Sequence, residues 1–260
     1  MLATVKLGNP DIRVKGSPGT NIVLINFNTI KAPFNDKRVR QAIAYAINYD
    51  LLTEKLILGY SEPLYGRPFM EPFEGEPGHG QFGDIKGYEY NPDKAKALLS
   101  EAGVSGFSTV IDTWQEMSEQ AQAVAQMLVD VGIKATVRIW DLAVITEEFP
   151  KGERDIYFNR VGNGRRAPQW VNGVAGTGQP LNYALYSNPT FDDLMERAIA
   201  MSEDSPERNA LFMEAFEIMI DELPVLTLHA PDVVEACRSN VKNFYASCNG
   251  RVNLHRVDLE

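Results

Sequence analysis

Residues 107–139, FSTVIDTWQEMSEQAQAVAQMLVDVGIKATVRI, decide the fold. Phe107 to Thr113 combines β-branched and apolar residues and predicts a strand. A helix follows, because apolar residues recur at helical spacing, and Gly132 is suited to end it. Its apolar face consists of Met117, Ala121, Val124, Ala125 and Leu128. Apolar and polar residues then alternate from Ile133 to Ile139, which predicts a second strand. Strand, helix and strand with short joints form a βαβ unit, so we expect parallel pairing and a right-handed crossover.

The residues before this unit predict one buried strand and three helices. Residues 22–27 (IVLINF) are apolar except for Asn26, as in a strand buried on both faces. Asp36 and Asn91 are good N-caps for two helices, the second with proline in its first turn. Asp50 is expected to cap a shorter helix. The proline- and glycine-rich residues 61–90 are predicted to form a long loop, which in a compact domain tends to be functional or to cover another element.

The residues after the unit continue the alternation of strands and helices. A short helix is expected after Asp141, and residues 155–161 predict another strand. The polar, glycine-rich residues 162–178 are predicted as a separating loop. Two helices near 190–202 and 206–221 follow, and short strands with turns begin at Val225. The whole predicts an α/β (α+β) fold with a mixed sheet flanked by helices.

Composition and charge exclude several classes of protein. The 260 residues include 25 Lys and Arg against 35 Asp and Glu, a formal net charge of −10. An acidic surface repels phosphate backbones, so we expect no nucleic-acid partner. The sequence contains no uninterrupted run of 18 apolar residues, the length that would indicate a helix spanning a bilayer. Residues 1–6 lack a basic region followed by an apolar core, so no signal peptide is expected here, and we interpret the sequence as a piece of a longer protein.

Cysteine and histidine spacing predicts neither a metal site nor a disulfide framework. Cys237 and Cys248 could bridge a short turn, which would indicate an oxidising compartment, or remain two free thiols. The histidines His79, His229 and His255 lie far apart, without the spacing of metal ligands. We therefore expect no metal ion.

No sequence motif indicates catalysis or a cofactor. Residues 78–83 (GHGQFG) match the dinucleotide-binding pattern, but no strand precedes them and no helix follows. There is no P-loop, no G-x-S-x-G elbow and no H-E-x-x-H. No combination of general acid, base and nucleophile stands out. The sequence therefore favours a non-enzymatic protein without a cofactor.

The segment from residue 160 to residue 183 is the predicted ligand-binding region. It follows a buried strand, and ligands of open α/β sheets lie beyond the carboxyl ends of the strands. Arginine offers a rigid donor fork for carboxylate or phosphate oxygens, and Trp and Tyr offer flat apolar faces. The candidates are Arg160, Asn163, Arg165, Arg166, Trp170, Asn182 and Tyr183, together with Trp114 after its own strand. The alternative is an ordinary exposed loop, with Trp170 anchored in the core and Trp114 a core residue at a strand end.

Several ordered motifs resemble one known family. Residues 26–29 (NFNT), 33–43 (PFNDKRVRQAI) and 45–48 (YAIN) are similar to a signature of the family 5 extracellular solute-binding proteins. These proteins are the dipeptide-, oligopeptide- and nickel-binding components of ABC importers. Residues 90–103 and 121–134 resemble further motifs of the same family. The order continues with 186–189 (YSNP), 191–194 (FDDL), 223–224 (LP) and 241–244 (VKNF).

The resemblance implies one lobe of a two-lobed periplasmic binding protein. The resemblance covers only the second half of a family member's chain. It implies that residues 1–20 are a crossing segment between the lobes, 21–229 the second lobe and 230–260 a tail that returns to the first lobe. It further implies a monomer in the periplasm, or tethered outside the membrane, that closes on a small solute and delivers it to an ABC permease. A lobe alone cannot close, so its affinity should be weak.

One departure from the family pattern concerns the ligand. Peptide-binding members carry an aromatic residue and then Asp-Pro after the strand that begins at Asp155, and that carboxylate pairs with the peptide amine. Here these positions hold Val161, Ala167 and Pro168, beside two arginines that would repel an ammonium group. We therefore expect an anionic or sugar-like solute rather than a peptide held by its amine. Two other functions remain open: a partner that presents ligands to a receptor, and an enzyme with a dispersed active site.

Overall fold

The computed structural model describes ten strands and eight helices, and we number both in chain order. The described residues are 11–70, 85–104, 106–162, 165, 167–202, 205–244, 247–248, 250–252, 254–255 and 257–259. The strands are β1 (Ile12–Ser17), β2 (Ile22–Phe27), β3 (Ser61–Pro63), β4 (Ser108–Trp114), β5 (Lys134–Trp140), β6 (Ile156–Val161), β7 (Val225–Pro231), β8 (Val233–Arg238), β9 (Val241–Lys242) and β10 (Asp258–Leu259). The helices are α1 (Lys37–Ala46), α2 (Tyr49–Leu51), α3 (Pro92–Glu101), α4 (Ser118–Asp130), α5 (Leu142–Glu148), α6 (Ala167–Ala175), α7 (Pro189–Ile199) and α8 (Pro206–Glu222).

A mixed six-stranded sheet organises these elements. Its order is β3-β7-β2-β6-β4-β5. β4 pairs in parallel with both β5 and β6, whereas β2 runs antiparallel to β6 and β7. The parallel pair β4–β5 around α4 confirms the predicted βαβ unit. The mixed sheet flanked by helices confirms the predicted fold class.

Each face of the sheet carries its own hydrophobic core. Val23, Ile25 and Phe27 belong to one core, and Ile22 and Leu24 belong to the other. A strand with a core on each side has no solvent-facing side, which explains why β2 is apolar at every position except Asn26. The first core is closed by α1, α3, α4 and α5, and the second by α6, α7 and α8.

Local capping fixes most of the helix starts that the sequence predicts. The side chain of Asp36 accepts a hydrogen bond from the Arg38 amide, and that of Asn91 accepts one from the Lys94 amide. The predicted cap at Asp50 is wrong. Asn48 caps the helix instead, and the Asp50 carboxylate accepts from the Tyr65 hydroxyl at 2.5 Å. Both residue types can cap, and a tertiary contact decided between them.

Two segments predicted as loops contain regular structure. Residues 61–63 form β3, which pairs with β7 at one margin of the sheet. Residues 167–175 form α6 within the predicted loop at 162–178. Gly173 lowers the helix propensity of this segment, but burial of its apolar side chains in the second core compensates. Residues 78–83, with the glycine motif, lie outside the described residues.

A buried arginine joins α1 to the end of α8. Arg40 is 2% exposed, and its Nε donates to the carbonyl oxygens of Glu222 at 2.8 Å and Leu223 at 3.1 Å. Its Nη1 donates to the Phe34 carbonyl oxygen at 2.6 Å. Carbonyl groups at a helix C-terminus lack intrahelical partners. Arg40 therefore satisfies carbonyls at the end of α8 that would otherwise be buried without partners.

Two paired strands enter and leave the sheet side by side. β1 and β8 form an antiparallel ribbon, with Ile12 opposite Arg238 and Ser17 opposite Val233. We call this ribbon, together with residues 18–21 and Asp232, the neck. Cys237 in β8 and Cys248 beyond it are half-buried free thiols, the second of the two alternatives above. Among the described residues, every helix is too short or too polar to span a lipid bilayer.

Candidate ligand-facing edge of the sheet

The strands β4, β5 and β6 end at the side of the sheet from which the neck departs. β4 and β6 run parallel, and Trp114 at the end of β4 lies opposite Trp140 at the end of β5. β2 begins at the same side, since Ile22 lies opposite Val161. β7 also ends there, because Val23 near the start of β2 faces His229. We call this side the neck edge. Strand ends of this kind are where open α/β sheets bind ligands.

Arg160 and Trp114 meet at the neck edge through a residue that the sequence did not single out. The Arg160 Nη2 lies 3.2 Å from Glu116 Oε2, and both side chains are partly exposed. The Trp114 indole N–H donates to the same carboxylate oxygen at 3.5 Å. Glu116 is the second residue after β4, so its position beside a predicted strand end was the available signal. The three side chains bring a guanidinium fork, a carboxylate and an indole N–H together at one place. The Trp114 ring itself packs in the first core, as the alternative of a core residue at a strand end described.

Trp114 also belongs to an aromatic cluster that extends away from the neck edge. It is 7% exposed, and its ring centroid lies 6.3 Å from that of Tyr157. Tyr183 packs edge-on against the other side of this cluster, 5.4 Å from Tyr157. Burial raises the pKa of Tyr157 to about 12 and also raises that of Tyr183. Both phenols are therefore neutral at physiological pH.

Asn182 and Tyr183 do not reach the neck edge. Thr29, just beyond the far end of β2, receives the loop that holds them: its amide donates to the Ala184 carbonyl oxygen at 3.0 Å. The Asn182 amide group donates to the carbonyls of Gly176 and Tyr186 at 2.8 Å, so its donors are used within the loop. The unforeseen helix α6 accounts for the separation. Nine helical residues advance the chain by about 13 Å, from the neck edge to the opposite edge.

Trp170 lies within α6 and is 4% exposed. It packs in the second core, so its ring occupies the position that the core-anchor alternative described. Its indole N–H has no hydrogen-bond partner among the described residues. Asn163 and Arg166 lie outside the described residues, and their role in binding stays a prediction.

Arg165 points to the neck rather than to the open face of the neck edge. Its Nε donates to the Gly19 carbonyl oxygen at 2.9 Å, and its Nη2 lies 3.9 Å from Glu62 Oε2. The side chain is 12% exposed. Asp232 lies in the same polar environment, where burial raises the pKa of its carboxyl while the Arg165 charge lowers it. The guanidinium predicted to meet a solute therefore contacts the incoming crossing segment.

A buried histidine completes the polar groups below the neck. His229 Nδ1 lies 2.6 Å from the Ser61 hydroxyl, and Nε2 lies 2.8 Å from Gln120 Oε1. Burial lowers the pKa of His229 to about 4, so the ring is neutral at physiological pH. A serine beside a histidine is also the start of a nucleophilic triad, but here the ring is fully buried and its other nitrogen faces an amide. This network holds β3, β7 and α4 together. Within the described residues, no group of three His, Cys, Asp or Glu could hold a metal ion.

The fold and its edge define a class of protein. A mixed sheet between two helical layers, entered and left through a paired neck at the edge where parallel strands end, is the architecture of a periplasmic-binding-protein lobe. Residues 3–180 match the family model "Bacterial extracellular solute-binding proteins, family 5 Middle". The chain belongs to this family.

Relatives and a solved structure agree with this assignment. The chain is 27% identical to the dipeptide-binding protein of Escherichia coli strain K12, over 96% of the chain and 48% of the relative. It is 28% identical to the glutathione-binding protein GsiB of the same organism, over 99% of the chain and 52% of the relative. The solved structure of the ABC transporter-associated periplasmic binding protein DppA from Helicobacter pylori, in complex with peptide STSA, superposes with a TM-score of 0.82 at 28% identity, covering 100% of this chain and 51% of that one. The chain thus spans about half the length of the relatives it matches.

Proposed function

We propose that this chain is the second-lobe portion of the solute-binding component of an ABC-type importer. In this proposal residues 1–20 cross between the lobes, residues 21–229 form the second lobe, and residues 230–260 return toward the first lobe. The pairing of β1 with β8 supports these boundaries, because both strands leave the sheet at one edge. The observation that carries the proposal is the gathering of Trp114, Glu116 and Arg160 at that same edge.

The mechanism proposed is capture by closure. A solute held at the neck edge would contact the second lobe on one side and the first lobe on the other. Because it contacts both lobes only in the closed state, binding shifts the population toward that state. The closed form would then be recognised by a membrane permease. The compartment that follows is the periplasm, or the outer face of a membrane for a tethered form, with the protein acting as a monomer.

The proposed solute is one that is not anchored by an amine. Position 167 is alanine, so the carboxylate that family members use for a peptide amine is absent from this position. Arg160 instead presents a guanidinium at the neck edge, where it shares the Glu116 carboxylate with the Trp114 indole N–H. A guanidinium fork suits carboxylate oxygens, and its N–H groups can also donate to sugar hydroxyls. An anionic or sugar-like solute therefore fits better than a free-amine peptide.

The experiment compares two peptides that differ only at the amine with an acidic sugar. The chain is titrated separately with a dipeptide, with the N-acetylated dipeptide and with a hexuronic acid, each up to millimolar concentration. Weak binding would be detected by NMR as a shift of the Trp114 indole signal. We expect N-acetylation to change the dissociation constant by less than about twofold, and Arg160→Gln to weaken hexuronic acid binding by about tenfold. The matched variant Ala167→Asp should gain affinity for the free amine alone.

Two results would contradict the proposal in different ways. If the unmodified chain bound the free-amine dipeptide at least tenfold more tightly than the acetylated one, the ligand class would be wrong. If binding solutes left the Trp114 signal unchanged and shifted residues at the opposite edge, such as Tyr183, the neck edge would not be the site.

A further inference from the structure

The two crossing segments of the neck touch where two glycines occur. A Cβ atom added to Gly19 would lie 2.4 Å from the Pro231 carbonyl oxygen. A Cβ on Gly16 would lie 2.5 Å from the Tyr60 ring. These distances are shorter than any van der Waals contact, so the backbone at both glycines packs directly against Pro231 and Tyr60, and a side chain at either position would displace its neighbours. The neck therefore behaves as one packed unit.

Arg165 is the side chain that ties this unit to the segment after β6. Its Nε donates to the carbonyl oxygen of Gly19, the residue at the closest approach. Its Nη2 lies 3.9 Å from Glu62 Oε2 on β3. Just before β3, the Tyr60 carbonyl oxygen accepts a hydrogen bond from the amide of Asp232, in the outgoing segment, at 3.1 Å. One guanidinium thus contacts the incoming crossing segment and lies beside the strand that braces the outgoing one.

Arg165 lies just before α6 in the chain, so its contact with the neck links the neck to that helix. It stands between the end of β6, where Arg160 lies, and the start of α6. We propose that Arg165 is a positioning residue that couples α6, which begins two residues later, to the neck, so that a displacement of one displaces the other. Its importance for transport rests on the proposed function, because in a two-lobed protein the neck is the hinge. The coupling itself is a property of this chain and needs no solute.

The test is a double-mutant cycle read by hydrogen exchange. Gly19→Ala displaces the neck. The hydrogen-exchange rate of the α6 amides, measured by mass spectrometry, reports whether that displacement is transmitted to α6. We expect Gly19→Ala to accelerate α6 exchange about tenfold in the otherwise unchanged chain, and less than about twofold when Arg165→Ala is also present. Exchange in the β4–β5 pair should stay constant in all four proteins. Gly16→Ala replaces Gly19→Ala if the latter does not fold, because the side chains it meets can move.

Two further variants separate coupling from general destabilisation. Arg160→Ala removes a nearby guanidinium and should leave the cycle unchanged, because the contact described for that guanidinium is with Glu116. Arg165→Lys keeps the charge but not the planar fork, and should retain less than half of the coupling. The proposal is overturned if Gly19→Ala accelerates α6 equally with and without Arg165, or if β4–β5 accelerates in parallel with α6. Neither result depends on a solute, so a failure here is distinguishable from a failure of the proposed function.

Discussion

Mild acid should destabilise this lobe through one buried histidine. His229 is fully buried, and its ring nitrogens face a serine hydroxyl and a glutamine amide, both neutral. Burial lowers its pKa from the ordinary 6.5 to about 4. Between these two values the unfolded chain binds the proton and the folded chain does not. Stability is therefore complete above pH 6.5 and is lost progressively as the pH falls toward 4.

The magnitude follows from the two pKa values. A pKa difference from 6.5 to about 4 corresponds to about 3 kcal/mol when the loss is complete. At pH 5 the unfolded histidine is almost fully protonated and the folded one is almost neutral, so about 2 kcal/mol should already be lost. Because folded domains are stable by only about 5–15 kcal/mol, this loss would be plain in an unfolding curve.

The assay is urea unfolding, followed by circular dichroism, at pH 7.5 and pH 5.0. The unmodified chain should lose about 2 kcal/mol more between these pH values than His229→Asn does. His255→Asn, which removes an exposed histidine, should lose as much as the unmodified chain. Carboxylates titrate in all three proteins, so their contribution cancels. An equal pH dependence in the unmodified chain and His229→Asn would refute the reasoning.

Three other substitutions test the packing of the sheet and helices. Arg138→Met should lower the free energy of unfolding by about 3 kcal/mol, because the fully buried Asp112 carboxylate loses its bidentate partner. The control Arg197→Met breaks an exposed ion pair and should lower it by less than about 1 kcal/mol. Equal losses in the two variants would contradict this reasoning. Arg40→Met should cost at least about 3 kcal/mol in thermal or urea unfolding, because three buried carbonyls lose their donor; a near-neutral effect would show that those carbonyls find other partners. Asn91→Ala should cost about 1 kcal/mol through loss of the α3 cap, and hydrogen exchange should rise first in that helix.

Short-range signals in the sequence predicted most of the elements. The apolar face that begins at Met117 identified α4, and the cap at Asp36 marked the start of α1, because both signals depend on residues within one or two turns. The same signals failed for α6. The polar and glycine-rich residues around it indicate a loop, and only the second core, built from α7 and α8 as well, makes the helix favourable.

Of the candidate site, only the residues at the ends of predicted strands could be placed from the sequence. Trp114 and Arg160 follow predicted strands, and the parallel pairing of β4 with β6 brings them to one edge. Asn182 and Tyr183 were grouped with them because they follow in sequence. Helix α6 carries the chain across the sheet, so these two lie at the opposite edge. Proximity along the chain does not imply proximity in space once an intervening element is regular.

The sequence by itself determined the family and the βαβ unit, because both are a matter of residue type and local spacing. Only the tertiary structure decided what Arg165 does. A guanidinium donates to whichever acceptors surround it, and the sheet order brings Gly19, 146 positions earlier, within 2.9 Å. The partner of a long polar side chain depends on how distant strands are arranged, and that arrangement is set by the burial of β2 between two cores.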